Sequence, residues 1–156
     1  QDIALSLLGS LPLTGDRDLL LQAIANLLDN AVKFAPAGST IALSAAASPG
    51  MAELCVADSG PGLHAEDRAR AGERFFRADS ARSTPGSGLG LSLVRAVAHL
   101  HGGELLLEDA APGRTPPGLI VRLRLPQPLS GLDPDAAARH AFGGTATSRD
   151  KRETPS

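Results

Sequence analysis

Asn26, Asn30 and Lys33 fall at i, i+4 and i+7 within the stretch Asn-Leu-Leu-Asp-Asn-Ala-Val-Lys-Phe, residues 26–34. At about 100° per residue this spacing stacks them in one stripe of a helix. Asn is a poor helix former because its side chain competes for backbone hydrogen bonds. Two of them stacked below a Lys, beside an apolar face, need a reason. An amide oxygen ligates a hard cation such as Mg2+, and the ammonium beyond it meets a phosphate. The plain alternative is the solvated flank of an ordinary helix, and the stripe alone does not separate the two.

Asp58-Ser59-Gly60-Pro61-Gly62 directly follows an apolar run that reads as a strand. A carboxylate at a strand end sits at the mouth of a cleft, where it accepts a hydrogen bond from the exocyclic amine of adenine. Guanine presents an oxygen there and would be repelled. Gly60 and Gly62 let backbone approach a base with no Cβ in the way. The same five residues would also make an ordinary turn. Gly86-Ser87-Gly88-Leu89-Gly90-Leu91 opens a further helical stretch. Glycine backbone at a helix N-terminus offers free N–H groups and the positive end of the dipole, which suits phosphate. It is not the dinucleotide fingerprint, because the spacing is G-x-G-x-G and the preceding Arg82-Ser83-Thr84-Pro85 is loop rather than strand. Nor is it a P-loop, since no Gly-Lys-Ser/Thr follows.

These residues need particular elements to hold them. The apolar segment from Leu19 to Ala35 predicts a helix with Leu20, Ile24, Leu27 and Ala31 on its core face, Asp16 as N-cap and Pro36 as stop. Ile3 to Leu8 reads as a strand. Ile41 to Ala47 and Met51 to Ala57 read as two more, joined by a Ser48-Pro49-Gly50 turn. Leu63 to Ser87 is polar and small, and predicts a long mobile loop with one helical turn near Ala65 to Arg70. Loops of that length are usually functional. A second long helix is expected from Leu89 to about His101, ended by Gly102-Gly103. Glu104 to Glu108 and Leu119 to Leu125 look like a final strand pair. Beyond Pro126 the pattern dissolves, with a helical turn at most over Asp133 to Ala141 and disorder after it.

The composition fits one globular domain: 156 residues, 42% hydrophobic and 21% charged. A net charge of −2 gives no basic field for nucleic acid or an anionic membrane. No apolar run approaches the roughly 18 residues needed to span a bilayer. A single cysteine, Cys55, excludes an internal disulfide and a cysteine zinc site, and its apolar surroundings predict a buried structural thiol. The chain starts at Gln1 and enters an apolar run at once, which reads as a fragment of something longer.

The Asn-rich helix, the Asp-x-Gly-x-Gly after a strand and the Gly-x-Gly-x-Gly before a helix come in that order. In this order they resemble the catalytic, ATP-binding domain of bacterial two-component sensor histidine kinases, within the gyrase, heat-shock chaperone, kinase and MutL ATPase superfamily. The resemblance covers about Ile3 to Pro126 and implies an α/β two-layer sandwich of the Bergerat type, a mixed sheet against about three helices. It makes residues 1–126 the catalytic domain and 127–156 a largely disordered tail. It implies that Asn30 ligates Mg2+, with Asn26 in the same layer, and that Lys33 contacts phosphate. Phe34 would flank the adenine and Asp58 bind its amine, with Gly60 and Gly62 shaping the pocket. Gly86, Gly88 and Gly90 would let a lid fold over the phosphates of ATP, with backbone amides around Leu89 and Leu91 as donors. The loop segment Glu73-Arg74-Phe75-Phe76-Arg77 matches the family's F box, and Arg77 is the candidate γ-phosphate contact.

One departure stands out. Where the family usually has a bulky aliphatic followed by Phe, this chain has Ala71-Gly72, which predicts a looser lid. No histidine here suits the phosphoacceptor role. His64 lies in the lid, His99 and His101 end a helix, and His140 is in the tail. The resemblance therefore implies an ATP-binding half that donates phosphate to a histidine on an upstream dimerisation domain, with a response regulator receiver as the next partner. The domain itself would be cytoplasmic, whether or not the parent is membrane-anchored. Two alternatives remain: a non-catalytic nucleotide-sensing or protein-binding module, and an ATP hydrolase. The hydrolases of the superfamily carry a Glu one turn before the metal-binding Asn, where this chain has Asn26.

Overall fold

A computed structural model describes residues 2–7, 11–78 and 87–128. Five strands and three helices follow one another: β1 (Asp2–Leu7), α1 (Arg17–Phe34), β2 (Thr40–Ser48), β3 (Met51–Asp58), α2 (Ala65–Arg70), α3 (Gly90–Leu100), β4 (Glu104–Asp109) and β5 (Leu119–Pro126). The sheet order is β1-β2-β3-β5-β4. β1 runs parallel to β2 and every other pairing is antiparallel, so the sheet is mixed. This is the α/β sandwich that the sequence predicts.

Local chemistry sets the boundaries. The Asp16 carboxylate accepts hydrogen bonds from the N–H groups of Asp18 (2.9 Å) and Leu19 (3.0 Å), satisfying two donors that a helix start leaves open. At the other end Ala35 turns extended just before Pro36, as expected of a residue preceding proline. α3 stops at Gly102, whose φ of 70° only glycine adopts cheaply, and the Gly103 N–H returns to the Ala98 carbonyl at 2.8 Å.

α1 and α3 lie on one face of the sheet. The core joins Ala23, Leu27 and Ala31 of α1 to Val94, Val97 and Ala98 of α3, and both to Ile41, Val56, Val121, Leu123 and Leu125. The buried stripe of α1 is centred one residue away from the sequence expectation: Ala23 is fully buried, while Leu20 and Ile24 flank it half-buried.

The opposite face of the sheet carries an ion-pair lattice. Arg122 bonds Glu53 (2.8 Å) and Glu108 (2.9 Å), and Arg124 bonds Glu104 (2.8 Å). Cys55 lies here, half-exposed, and not in the core as its apolar neighbours suggest. Strand alternation is the reason: Val56 and Leu54 face the helices, so Cys55 shares the outer face with Glu53. Burial and the neighbouring Glu53 carboxylate push its thiol pKa up.

Among the described residues no helix is long and apolar enough to cross a membrane. The expectations for Asp133 to Ala141 and for the rest of the tail lie outside the described residues.

Candidate functional site

α1, the end of β3 and the start of α3 meet around a cavity of about 220 Å3. Its lining includes Asn26, Asn30, Lys33 and Phe34 from α1, Asp58 and Gly62 from the β3 end, Arg77 from the segment after α2, and Gly88, Gly90 and Leu91. Ten of the thirteen residues expected from the sequence therefore share one cavity. Gly60 stands behind the wall, and Leu89 is partly exposed beside it. Gly86 lies outside the described residues.

Asp58 is only 9% exposed, the one buried charged side chain among the described residues. It ends β3, opposite Leu119 of β5. The Gly60 N–H donates to its Oδ1 at 2.7 Å, and the Leu119 backbone N–H also donates to the carboxylate. Burial pushes its pKa up, against the lowering effect of these two donors. The lone pairs left over are suited to an amine donor entering the cavity. Gly60 has no alternative: a Cβ there would lie 2.6 Å from the Phe34 carbonyl oxygen. That contact fixes the end of α1 against the Asp58 turn.

Asn26 and Asn30 lie against Gly90 at the N-terminus of α3. A Cβ on Gly90 would come within 3.4 Å of Asn26 Oδ1 and 3.3 Å of Asn30 Nδ2. Asn26 Nδ2 donates to the Gln22 carbonyl at 2.8 Å, which keeps its amide oxygen turned away from its own helix backbone. Lys33 pairs with Asp29 at 3.5 Å. The cation is thus held at the cavity rim by a partly exposed i,i+4 contact, a weak bond that a phosphate can replace.

The segment from α2 to Ala78 is tied down by side-chain contacts. Arg68 of α2 bonds Asp109 at 2.7 Å, and the Arg70 guanidinium lies 4.5 Å from the centre of the Phe76 ring. Ala71 is buried and lines the cavity. Gly72 packs under a side chain of α3, since a Cβ on it would lie 2.5 Å from Arg95 Cδ. The missing bulk at position 72 is thus filled from the opposite element. Phe76 lines the cavity, whereas Phe75 is 67% exposed with φ of 63°. Ordinary core packing describes neither ring.

Several lining residues were not legible as site residues. Asp29 was readable in principle, as the i,i+4 neighbour of Lys33. Leu63, Val56, Leu119 and Val121 make the apolar floor. Their membership depends on β5 lying beside β3, which no local signal announces.

Residues 15–129 match the family model described as histidine kinase-, DNA gyrase B-, and HSP90-like ATPase. The chain is 47% identical over 126 residues to the signal transduction histidine-protein kinase/phosphatase MprB of Mycolicibacterium vanbaalenii, covering 80% of this chain and 26% of that protein. It thus spans about a quarter of the length of the curated relatives that it matches. Its fold superposes on the mycobacterial sensor histidine kinase MprB with a TM-score of 0.72 at 38% identity, covering 82% of this chain and 83% of that one. Full-length ShkA in complex with AMPPNP gives a TM-score of 0.67 at 32% identity, over 80% of this chain and 25% of that one.

Proposed function

This chain belongs to the family of histidine kinase-, DNA gyrase B- and HSP90-like ATPases, and from that premise we propose that it binds Mg·ATP and presents the γ-phosphoryl group to a histidine outside residues 1–156. One observation carries this reading. The Asn26–Asn30–Lys33 stripe, the buried Asp58 and the Gly88–Gly90 turn line a single cavity, and they match the metal–phosphate, adenine and phosphate parts of one ligand.

In this reading Asp58 accepts from the adenine amine, and the apolar floor of Val56, Leu119 and Val121 takes the ring. Phe34 closes the side of the base. The backbone from Gly88 to Leu91 donates to the phosphates at the positive end of α3. Asn30 and Asn26 offer amide oxygens to Mg2+, a chemistry that suits a hard cation shared with phosphate oxygens. When bound, Mg2+ neutralises charge on the β- and γ-phosphates. Lys33 and Arg77 add positive charge at the rim, where the phosphoryl group leaves. Asn26 carries an amide that cannot take a proton from water, which favours transfer over hydrolysis. The acceptor histidine and a response regulator would be contributed by an upstream dimerisation domain and a separate receiver, on the cytoplasmic side.

A thermal-shift titration tests the binding step. Mg·ATP at about 100 times its Kd should add roughly 2.7 kcal/mol of stability. Asn30→Ala and Asp58→Ala should each remove most of that shift. The transfer step is tested in a longer protein that includes the upstream domain, by formation of an acid-labile phosphohistidine. No stabilisation by any adenine nucleotide would overturn the reading.

A further inference from the structure

His101 ends α3 far from the cavity, yet it is bonded across to α1. The Asp16 N–H donates to His101 Nε2 at 3.0 Å, and His101 Nδ1 lies 2.7 Å from the Val97 carbonyl oxygen. A backbone N–H only donates and a carbonyl only accepts, so the ring is the neutral tautomer with its proton on Nδ1. Gly15 lies flat against the same ring, where a Cβ would collide with Cδ2 and come within 2.6 Å of Nε2. Asp16 is also the N-cap of α1. The imidazole therefore joins the N-cap of one helix to the last turn of the other.

A contact between these helices that involves polar groups also lies at the site itself, where Gly90 abuts Asn26 and Asn30. α1 and α3 are thus antiparallel. At about 1.5 Å per residue, Gly90 to His101 spans roughly 16 Å, and Asp16 to the Asn26–Asn30 pair roughly 15–21 Å. The two contacts sit at matching distances along two rigid rods. The apolar packing between them, Ala23 and Leu27 with Val94, Val97 and Ala98 in one core cluster, is non-directional in its driving force. The hydrogen bond at Asp16 is directional.

We propose that His101 is a positioning residue for the nucleotide site: it fixes the register of α3 along α1 and so holds Gly90 against the Asn26–Asn30 pair. The inference rests on the nucleotide reading above for its functional consequence, but its geometric part stands apart from it.

The test compares His101→Leu, which has no acceptor for the Asp16 N–H, with His101→Gln, whose amide oxygen reaches the same place. Mg·AMPPNP binding is measured by calorimetry at a temperature where circular dichroism shows each variant folded. The side-chain amide signals of Asn26 and Asn30 are followed by NMR without nucleotide. His101→Leu should shift both Asn signals and weaken binding by about tenfold, and His101→Gln should recover binding to within about twofold. A His101→Leu protein that melts earlier but keeps wild-type Asn signals and affinity would overturn the proposal, leaving a helix cap only. So would His101→Gln behaving like His101→Leu. If His101→Leu does not fold, Gly15→Ala displaces the ring without removing it and is held to the same two readouts. A wild-type protein that binds no nucleotide defeats the functional reading, while the Asn signals still decide the positioning claim.

Discussion

Gly88 lies directly on the backbone of Phe76. A Cβ at Gly88 would come within 2.8 Å of the Phe76 carbonyl oxygen and 3.0 Å of the Phe75 carbonyl carbon, and the residue holds φ at 71°. The turn at Gly88 and the segment that follows α2 are therefore packed together, although Phe76 and Gly88 are twelve positions apart in the chain.

Gly88→Ala meets both a left-handed backbone and a backbone clash. The conformation alone costs about 1–2 kcal/mol, and the clash adds to it. Gly88 is not part of the core cluster, so the domain should still fold, while Mg·ATP affinity falls by at least about tenfold. Calorimetric titration beside a melting curve checks this; unchanged affinity would show that the turn does not shape the site.

If Asp58 accepts from the adenine amine as proposed, nucleotide binding is coupled to pH. Burial raises its folded-state pKa above the ordinary 3.8. A raised carboxyl contributes stability that is complete below the unfolded value and lost as pH rises through the folded one. Adenine binding has the opposite need, since the carboxylate must accept. Nucleotide affinity should therefore fall on acidification at a higher pH than an ordinary Asp would give, while this group's own contribution to stability grows. In Asp58→Asn both dependences should vanish. The variant should lose about 10- to 100-fold in ATP affinity, a charged hydrogen bond's worth, and part of its discrimination against GTP, because an amide can offer an N–H to the guanine oxygen. Titrations with both nucleotides across pH 4 to 8 measure it.

The sequence made much of this site readable because each part is local. Asp16 and Pro36 bound α1, the i, i+4, i+7 stripe survives folding, and Asp58 does end a strand. What stayed hidden is non-local. Gly72 under Arg95, Gly88 on Phe76 and His101 on Asp16 join residues from different elements. Their side chains carry no pattern that names the partner. Cys55 was misplaced for a related reason: its apolar neighbours pointed inward, but strand alternation turned the residue between them out.

Asp29 and Lys33 form a pair at the rim, 3.5 Å apart, with the Asp side chain largely exposed. Such a pair contributes little, so Asp29→Asn should change stability by less than about 0.5 kcal/mol. It frees Lys33 and removes a negative charge near the phosphates. Mg·ATP binding should then tighten by about two- to fivefold at low salt, and the gain should fade as ionic strength rises. A loss of Mg-dependent binding instead would place Asp29 among the metal contacts.

Gly90→Ala separates site geometry from stability most cleanly, because the two should move in opposite directions. Gly90 is the first residue of α3, with no positive φ. Alanine there is conformationally acceptable and stiffens the unfolded chain, a gain of about 0.4–1 kcal/mol. Its methyl would nonetheless sit 3.3 Å from Asn30 Nδ2 and 3.4 Å from Asn26 Oδ1. These amides must give by a few tenths of an ångström, and they are the groups assigned to the metal layer. The melting temperature should hold or rise slightly, while Mg-dependent nucleotide affinity falls by about fivefold or more, since ligand placement tolerates little displacement. Binding of adenosine, which needs Asp58 but not the metal layer, should be unaffected. If adenosine and Mg·ATP weaken equally, the methyl has disturbed the whole pocket and the Asn pair has no special part in it.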